Sequence, residues 1–232
     1  MNTQKIALIT GASTGLGLHL ALTLAKEGYV TYATMRNLEK STALLELATA
    51  AGLELYVRQL DVQDTASVDR CIAEIVEQHQ RIDVLINNAG VFHNETLEDM
   101  NLDTIRRQFE VNALSLLKVT HTLLPFLKEG SKVANITSRM GSVEDNGSGA
   151  YYGYRASKAA LNAMGKSLAL DLKSMGISVA MVHPGFVQTR MVGFNGDISA
   201  KEAATGIAAR IEDLNLENTG GFWHSNGQTL PW

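Results

Sequence analysis

Cysteine is almost absent from these 232 residues: Cys71 stands alone, which rules out an intrachain disulfide framework and fits a reducing, cytoplasmic compartment. Set within an amphipathic helical pattern, that thiol is expected to pack rather than to attack. Proline is scarce too, at 3 residues, in an otherwise ordinary globular composition of 45% hydrophobic and 19% charged residues. An excess of positive charge is missing. The net charge of −4 supplies no broad basic field, so nucleic acid is not an expected partner. No run approaches the roughly 18 uninterrupted apolar residues of a membrane span. The first residues carry neither the basic nor the apolar region of a secretion signal. The 6 histidines are dispersed, and no metal-ligating set emerges.

What the chain does have is a repeating alternation of apolar runs and helix-length segments. A chain of this length buries about 70% of its unfolded surface, and one domain over residues 1–232 is expected. Residues 5–9 read as a strand, followed by a turn with glycines at 11, 15 and 17 and a helix through Leu20, Leu22 and Leu24 to Glu27. Further strands are expected at 29–35, 54–60, 82–86, 132–137 and 177–182, with an edge strand at 220–224. Helices are expected at 38–50, at 66–79 with Thr65 as cap, at 102–127, from 152 or 154 to 175, and at 200–214. Gly130 is read as the break between the long helix and the fifth strand. This order specifies a doubly wound α/β (Rossmann) domain: a mostly parallel seven-stranded sheet with helices on both faces.

Ligands of such sheets sit outside the carboxyl ends of the strands. The polar clusters at 11–17, Arg36, Asp61, 87–90, Ser138 and 184–189 all follow predicted strands. A strand entering a helix through Gly11, Gly15 and Gly17 leaves helix N–H groups free for a diphosphate. The spacing nonetheless departs from G-x-G-x-x-G. Where such sites carry an acid for the adenosine ribose, this chain has Met35 and then Arg36. An arginine there engages a 2′-phosphate, which favours NADP(H) and leaves dual use of NAD(H) open; its plain alternative is a solvated turn residue. Asp61 either accepts from the adenine amino group or caps the turn behind it. Asn87 and Asn88 are expected to brace neighbouring loops, while Ala89 and Gly90 leave room for the adenosine.

Tyr154 and Lys158 lie one turn apart on a predicted helix and share a face. A neighbouring ammonium is expected to lower the phenol from its ordinary pKa of about 10. Tyr154 then suits a general acid for a carbonyl or a base for an alcohol. Ser138 can donate to the same oxygen.

With these residues assembled, the sequence resembles the short-chain dehydrogenase/reductase family over essentially its whole length. Thr10-Gly11-Ala12-Ser13-Thr14-Gly15-Leu16-Gly17 matches the TGxxxGxG motif, and Asn87-Asn88-Ala89-Gly90 matches NNAG. Asn112, Ser138, Tyr154 and Lys158 match the Asn-Ser-Tyr-Lys tetrad, and Pro184-Gly185 with Thr189 matches the loop after the sixth strand. The stretch from Ser138 through Tyr154 and the ending Leu230-Pro231-Trp232 look like the C-factor and small carbonyl reductase branch.

The resemblance implies that Tyr154 protonates a carbonyl oxygen while the nicotinamide delivers hydride. Ser138 would orient the carbonyl, Lys158 would hold the ribose and Asn112 would support a water linked to Lys158. Ser13, Thr14, Leu16, Val62, Val187 and Thr189 would contact the cofactor, together with the residues already named. It also implies a homodimer or homotetramer.

Three departures stand out. Ser13 and Thr14 are neutral where NADP(H)-preferring members often carry a basic residue. The gap from Ser138 to Tyr154 is longer than usual, with the extra residues in 144–150. The segment after Thr189 is short, which suggests an open site. Arg139, Met140, Val143, Tyr151, Phe186, Met191 and Phe194 are candidate walls, with His93 at the border and His183 packed near Pro184. They suit a small apolar or aromatic carbonyl substrate, and no basic cluster for a coenzyme A or nucleotide substrate is evident. A non-catalytic NADP(H)-responsive binding or signalling protein is the alternative, and dehydration or epimerisation on the same fold is a third reading.

Overall fold

Most of the apolar runs bury both faces against helices, as strands of a parallel sheet do, while the edge run Tyr56–Gln59 stays partly exposed. In the computed structural model, which describes residues 4–232, the strands are β1 (Ile6–Ile9), β2 (Val30–Met35), β3 (Tyr56–Gln59), β4 (Ile82–Asn87), β5 (Leu127–Ile136), β6 (Ser178–His183) and β7 (Phe222–His224). They form one seven-stranded sheet in the order β3-β2-β1-β4-β5-β6-β7. Every pairing is parallel. The long helices are α1 (Gly15–Lys26), α2 (Thr42–Ala50), α3 (Thr65–His79), α4 (Leu102–Phe109), α5 (Ser115–Leu123), α6 (Tyr152–Lys173) and α7 (Ala200–Asp213).

The period-two alternation of β1 divides the core. Ile6 and Leu8 join Ile72, Ile75, Leu116 and Leu161 of α3, α5 and α6. Ala7 and Ile9 join Leu20, Leu24, Ile207 and Ile211 of α1 and α7 on the opposite face. Cys71 is buried in the first of these layers, and burial together with Glu74 pushes its thiol up to about 12. No helix among the described residues is long and apolar enough to cross a membrane.

Several boundaries differ from the sequence expectation. The stretch 102–127 is not one helix. A π turn, Glu110–Leu114, separates α4 from α5, and Leu124–Phe126 tightens into a 3₁₀ turn. Pro125 brings no N–H to continue the helix. β5 then starts at Leu127 and runs through Gly130, so this glycine lies inside the strand rather than before it. Gly130 has φ 86°, and the register against β4 shifts between Ile82 and Val84 to absorb the irregularity. Asp64, not Thr65, caps α3 by accepting from the Ala66 N–H at 2.9 Å. Residues 38–41 form a 3₁₀ turn before α2, capped by Asn37.

Candidate active site

The strand order reverses beside β1, and there the turns after β1 and β4 touch. Thr10 Oγ1 accepts from the N–H groups of Asn88 and Ala89, both at 3.0 Å. Asn88 Nδ2 returns hydrogen bonds to the Thr10 and Gly11 carbonyls at 2.9 and 3.1 Å. Asn87 braces β5 through Asn135 Oδ1 at 2.9 Å. Two glycines make this approach possible. A Cβ on Gly11, at φ +70°, would stand 2.8 Å from Ala89 Cα; one on Gly17 would stand 2.3 Å from the Gly11 carbonyl oxygen. Thr14 occupies the N-cap of α1 without a side-chain cap bond, and the first turn holds no acid. The leading N–H groups of α1 are therefore left without a side-chain acceptor at the N-cap, an arrangement that suits an anion.

These turns open on a cleft of ≈ 1210 Å³ along the carboxyl ends of the strands. Ser13, Thr14, Gly15 and Leu16 line it, as do Arg36, Asp61, Val62, Asn88, Ala89 and Gly90. Pro184, Gly185, Val187 and Thr189 form the facing wall. A Cβ on Gly15 would lie 3.2 Å from Thr189 Cγ2, so this wall closes onto the glycine turn. Asp61 lines the cleft while its Oδ1 accepts from the Gln63 N–H at 3.0 Å. Arg36 is exposed, and Lys40 joins it on the same cleft, a cation that sequence spacing did not single out. Among the described residues neither enters an ion pair.

At the other end, α6 begins at Tyr152 and presents Tyr154 and Lys158 one turn apart, across from Ser138 at the end of β5. All three line the cleft. Lys158 is 4% exposed and donates to the Ile136 carbonyl at 2.8 Å; its Nζ lies 5.8 Å from the Tyr154 ring centre. Asn112 falls in the π turn, buried behind the cleft wall. Its Oδ1 accepts from the Val91 N–H at 2.8 Å, and its Nδ2 donates to the Val91 carbonyl and to Ser157 Oγ at 2.9 and 3.0 Å.

The expected lowering of the phenol is corrected. Tyr154 keeps part of its surface open to the cleft, yet burial pushes it up to about 12, and only a hydrogen bond with Ser138 opposes this. Lys158 is itself desolvated, and burial lowers it to about 8. Loss of water therefore outweighs attraction between the two groups. His183, edge-on to His224 at 5.1 Å, is pushed down to about 3, first by burial and then by His224.

Of the candidate walls, Arg139, Met140, Tyr151, Phe186, Met191 and Phe194 line the cleft. Val143 and His93 lie outside that lining, and Val143 is largely exposed. Phe92 was missed; its ring meets Tyr154 edge-on at 4.9 Å. Arg107, Arg139, Arg155 and Arg190 also line the cleft, each from a separate element. Arg139 pairs with Asp145, and Arg155 donates to Ser148 Oγ and the Gly149 carbonyl.

The sequence profile described as short chain dehydrogenase matches residues 5–198. The chain belongs to that family. This short-chain dehydrogenase is 34% identical to 1-hydroxy-2-glutathionyl-2-methyl-3-butene dehydrogenase of Rhodococcus sp. (strain AD45), over 99% of the chain and 100% of the relative. It is 42% identical to the C-signal protein of Myxococcus xanthus, over 65% of the chain and 93% of that protein. Among solved structures, carbonyl reductase Sniffer of D. melanogaster superposes with TM-score 0.91 at 28% identity, covering 99% and 100% of the two chains. The NADPH-bound carbonyl reductase from chicken fatty liver superposes with TM-score 0.90 at 27% identity, covering 99% of each.

The buried amine carries a pH signature. Lys158 titrates near 8 in the folded protein against an ordinary lysine value of 10.5, so the unfolded chain binds more protons between these values and stability rises with pH across that window. In urea denaturation, wild type should gain stability relative to Lys158→Met between about pH 8 and pH 10. A constant difference between the two proteins would contradict the assigned desolvation.

Proposed function

We propose that this short-chain dehydrogenase uses NADPH to reduce a ketone or aldehyde, and runs the reverse alcohol oxidation, with Tyr154 as general acid and base. The observation that carries the reading is the convergence of Ser138, Tyr154 and Lys158 on one wall of a cleft that begins at a glycine turn. The uncapped N-terminus of α1 and the space kept open at Gly15 fit the diphosphate of a dinucleotide, and Arg36 with Lys40 fits a 2′-phosphate. When bound, the reduced nicotinamide supplies the hydride. The chain's own residues handle the oxygen. Tyr154, held neutral by burial, donates its proton to the developing alkoxide, and Ser138 hydrogen-bonds the same oxygen. Lys158 stands ready for the ribose hydroxyls. Asn112, engaged with Val91 and Ser157, holds the helix behind them.

Phe92, Tyr151 and Phe186 give the substrate end an aromatic lining, which suits a small apolar or aromatic carbonyl. Assembly as a homodimer or homotetramer is part of this proposal, supported by Phe109 and Leu170, 37% and 66% exposed on α4 and α6. The buried thiol is compatible with a cytoplasmic setting. A nucleotide-responsive signalling role draws support from the likeness to the C-signal protein, but signalling alone gives no reason to keep serine, tyrosine and lysine together in the cleft.

Tyr154→Phe should lower turnover of a carbonyl panel by about 10²–10⁴-fold, the usual value of a general acid, and leave the NADPH dissociation constant unchanged. Steady-state rates and a fluorescence titration check both, and unaltered turnover would overturn the assignment. Arg36→Ala should raise the KM for NADPH by about tenfold or more, the loss of a charge-assisted bond, with the KM for NADH unmoved. Equal effects on both cofactors would remove the 2′-phosphate role.

A further inference from the structure

A second buried ionisable side chain, outside the chemistry assigned above, stands at the entrance of α6. Glu95 is 1% exposed and, among the described residues, takes part in no ion pair. Its Oε1 accepts from Thr104 Oγ1 at 2.6 Å and from Gln108 Nε2 at 2.7 Å, both on α4. Its Oε2 accepts from the Gly153 N–H at 3.1 Å, in the first turn of α6, and its main-chain oxygen accepts from the Tyr151 N–H at 2.9 Å. Gln108, 0% exposed, completes the chain by accepting from the His93 N–H at 2.9 Å.

α6 needs such a partner. Its N-cap, Tyr151, makes no side-chain cap bond and has φ 55°; Ala150 before it has φ 50°. Two successive residues with side chains in the left-handed region persist only where their surroundings hold them. Glu95 holds them from a distant loop, and its negative charge meets the positive end of the helix. The fit has no slack. A Cβ on Gly153 would stand 2.4 Å from Gln108 Nε2 and 2.9 Å from Ile105 Cα. Tyr154 is the next residue, and its ring packs on Phe92 from the loop that carries Glu95.

We infer that Glu95 is a positioning residue for the reaction: it caps α6 in trans and fixes the angle at which Tyr154 presents its hydroxyl beside Ser138. A carboxylate is required because the Gln108 amide and the Gly153 N–H can only donate here, the Gln108 oxygen being held by the His93 N–H; the one proton of the Thr104 hydroxyl is shared between Glu95 and the Asn101 carbonyl at 2.9 Å. An amide at this position turns its own N–H₂ toward one of those donors. The inference rests on the reading of Tyr154 as proton donor.

The test compares wild type, Glu95→Gln, and the exchange Glu95→Gln with Gln108→Glu in the full chain, using NADPH and one carbonyl substrate. Glu95→Gln should lower kcat by about tenfold or more through misplacement of the phenol, while the NADPH dissociation constant stays within about twofold. The exchange restores the pattern. The amide introduced at position 95 accepts from the Gly153 N–H and donates to the carboxylate introduced at position 108, which also accepts from the His93 N–H. The Thr104 hydroxyl then donates to the Asn101 carbonyl and accepts from the new amide, so donors and acceptors match again and kcat should return to near wild type. Unchanged kcat in folded Glu95→Gln, a parallel loss of NADPH affinity, or no rescue by the folded exchange variant would each overturn the inference. If Glu95→Gln does not fold, Glu95→Asp decides: it keeps the charge and withdraws it by one methylene, so kcat should fall with NADPH binding intact, and an unchanged kcat would overturn the role. A wild-type protein that reduces no carbonyl would instead overturn the assigned reaction, before any variant is compared.

Discussion

The contact between the turns after β1 and β4 sets the terms for the rest of the molecule. Gly11, Gly17 and Ala89 approach within distances that no added Cβ would permit, and the Thr10 hydroxyl and Asn88 amide close the gap with four hydrogen bonds. Because every strand is parallel, one such contact aligns all the carboxyl ends on one edge. The helix start at Gly15, the loop at 184–189 and the wall from Ser138 to Lys158 thus share a cleft, although they are far apart in the chain. The glycines weaken local structure in exchange for a backbone approach that side chains would block.

Within that cleft, burial rather than charge pairing decides protonation. A phenol near 12 stays neutral throughout the physiological range, which suits a proton donor. An amine lowered to about 8 is poised near neutrality. The cost of holding both groups away from water is met by the Ile136 carbonyl, the Ser138 hydroxyl and the packing of Gly141, whose Cβ would reach within 2.7 Å of the Lys158 main chain. The wall therefore tolerates little movement, and the device at the head of α6 fits this demand for a fixed phenol.

Much of this was legible in the residues. Alternating apolar runs and helical segments specified the doubly wound sheet, because burial on both faces leaves its mark on the inner strands, though not on the edge strand β3. Glycine spacing and the Tyr154–Lys158 interval located the two ends of the cleft. The π turn at Asn112 was hidden, since its residues keep a helical pattern while one hydrogen bond slips. The start of β5 was hidden by Gly130, which falls in an irregularity of the β4 ladder that the strand spans to pair Leu127 with Ile82. Lys40, Arg107, Arg155 and Arg190 were missed as site residues because only the tertiary fold collects them, and Glu95 because a lone acid in a loop reads as solvated. The direction of the tyrosine shift failed for a related reason: helical spacing reveals the neighbouring charge but not the loss of water around both groups.

The proposed reaction turns on one event, the delivery of a proton from Tyr154 to a carbonyl oxygen held beside the nicotinamide. A crystal structure with NADPH and an unreactive ketone analogue tests it most directly. The Tyr154 hydroxyl should lie within about 2.6–3.2 Å of the ketone oxygen, with the Ser138 hydroxyl on the same atom. A ketone oxygen bound elsewhere in the cleft, with the Tyr154 hydroxyl beyond hydrogen-bond reach, would contradict it.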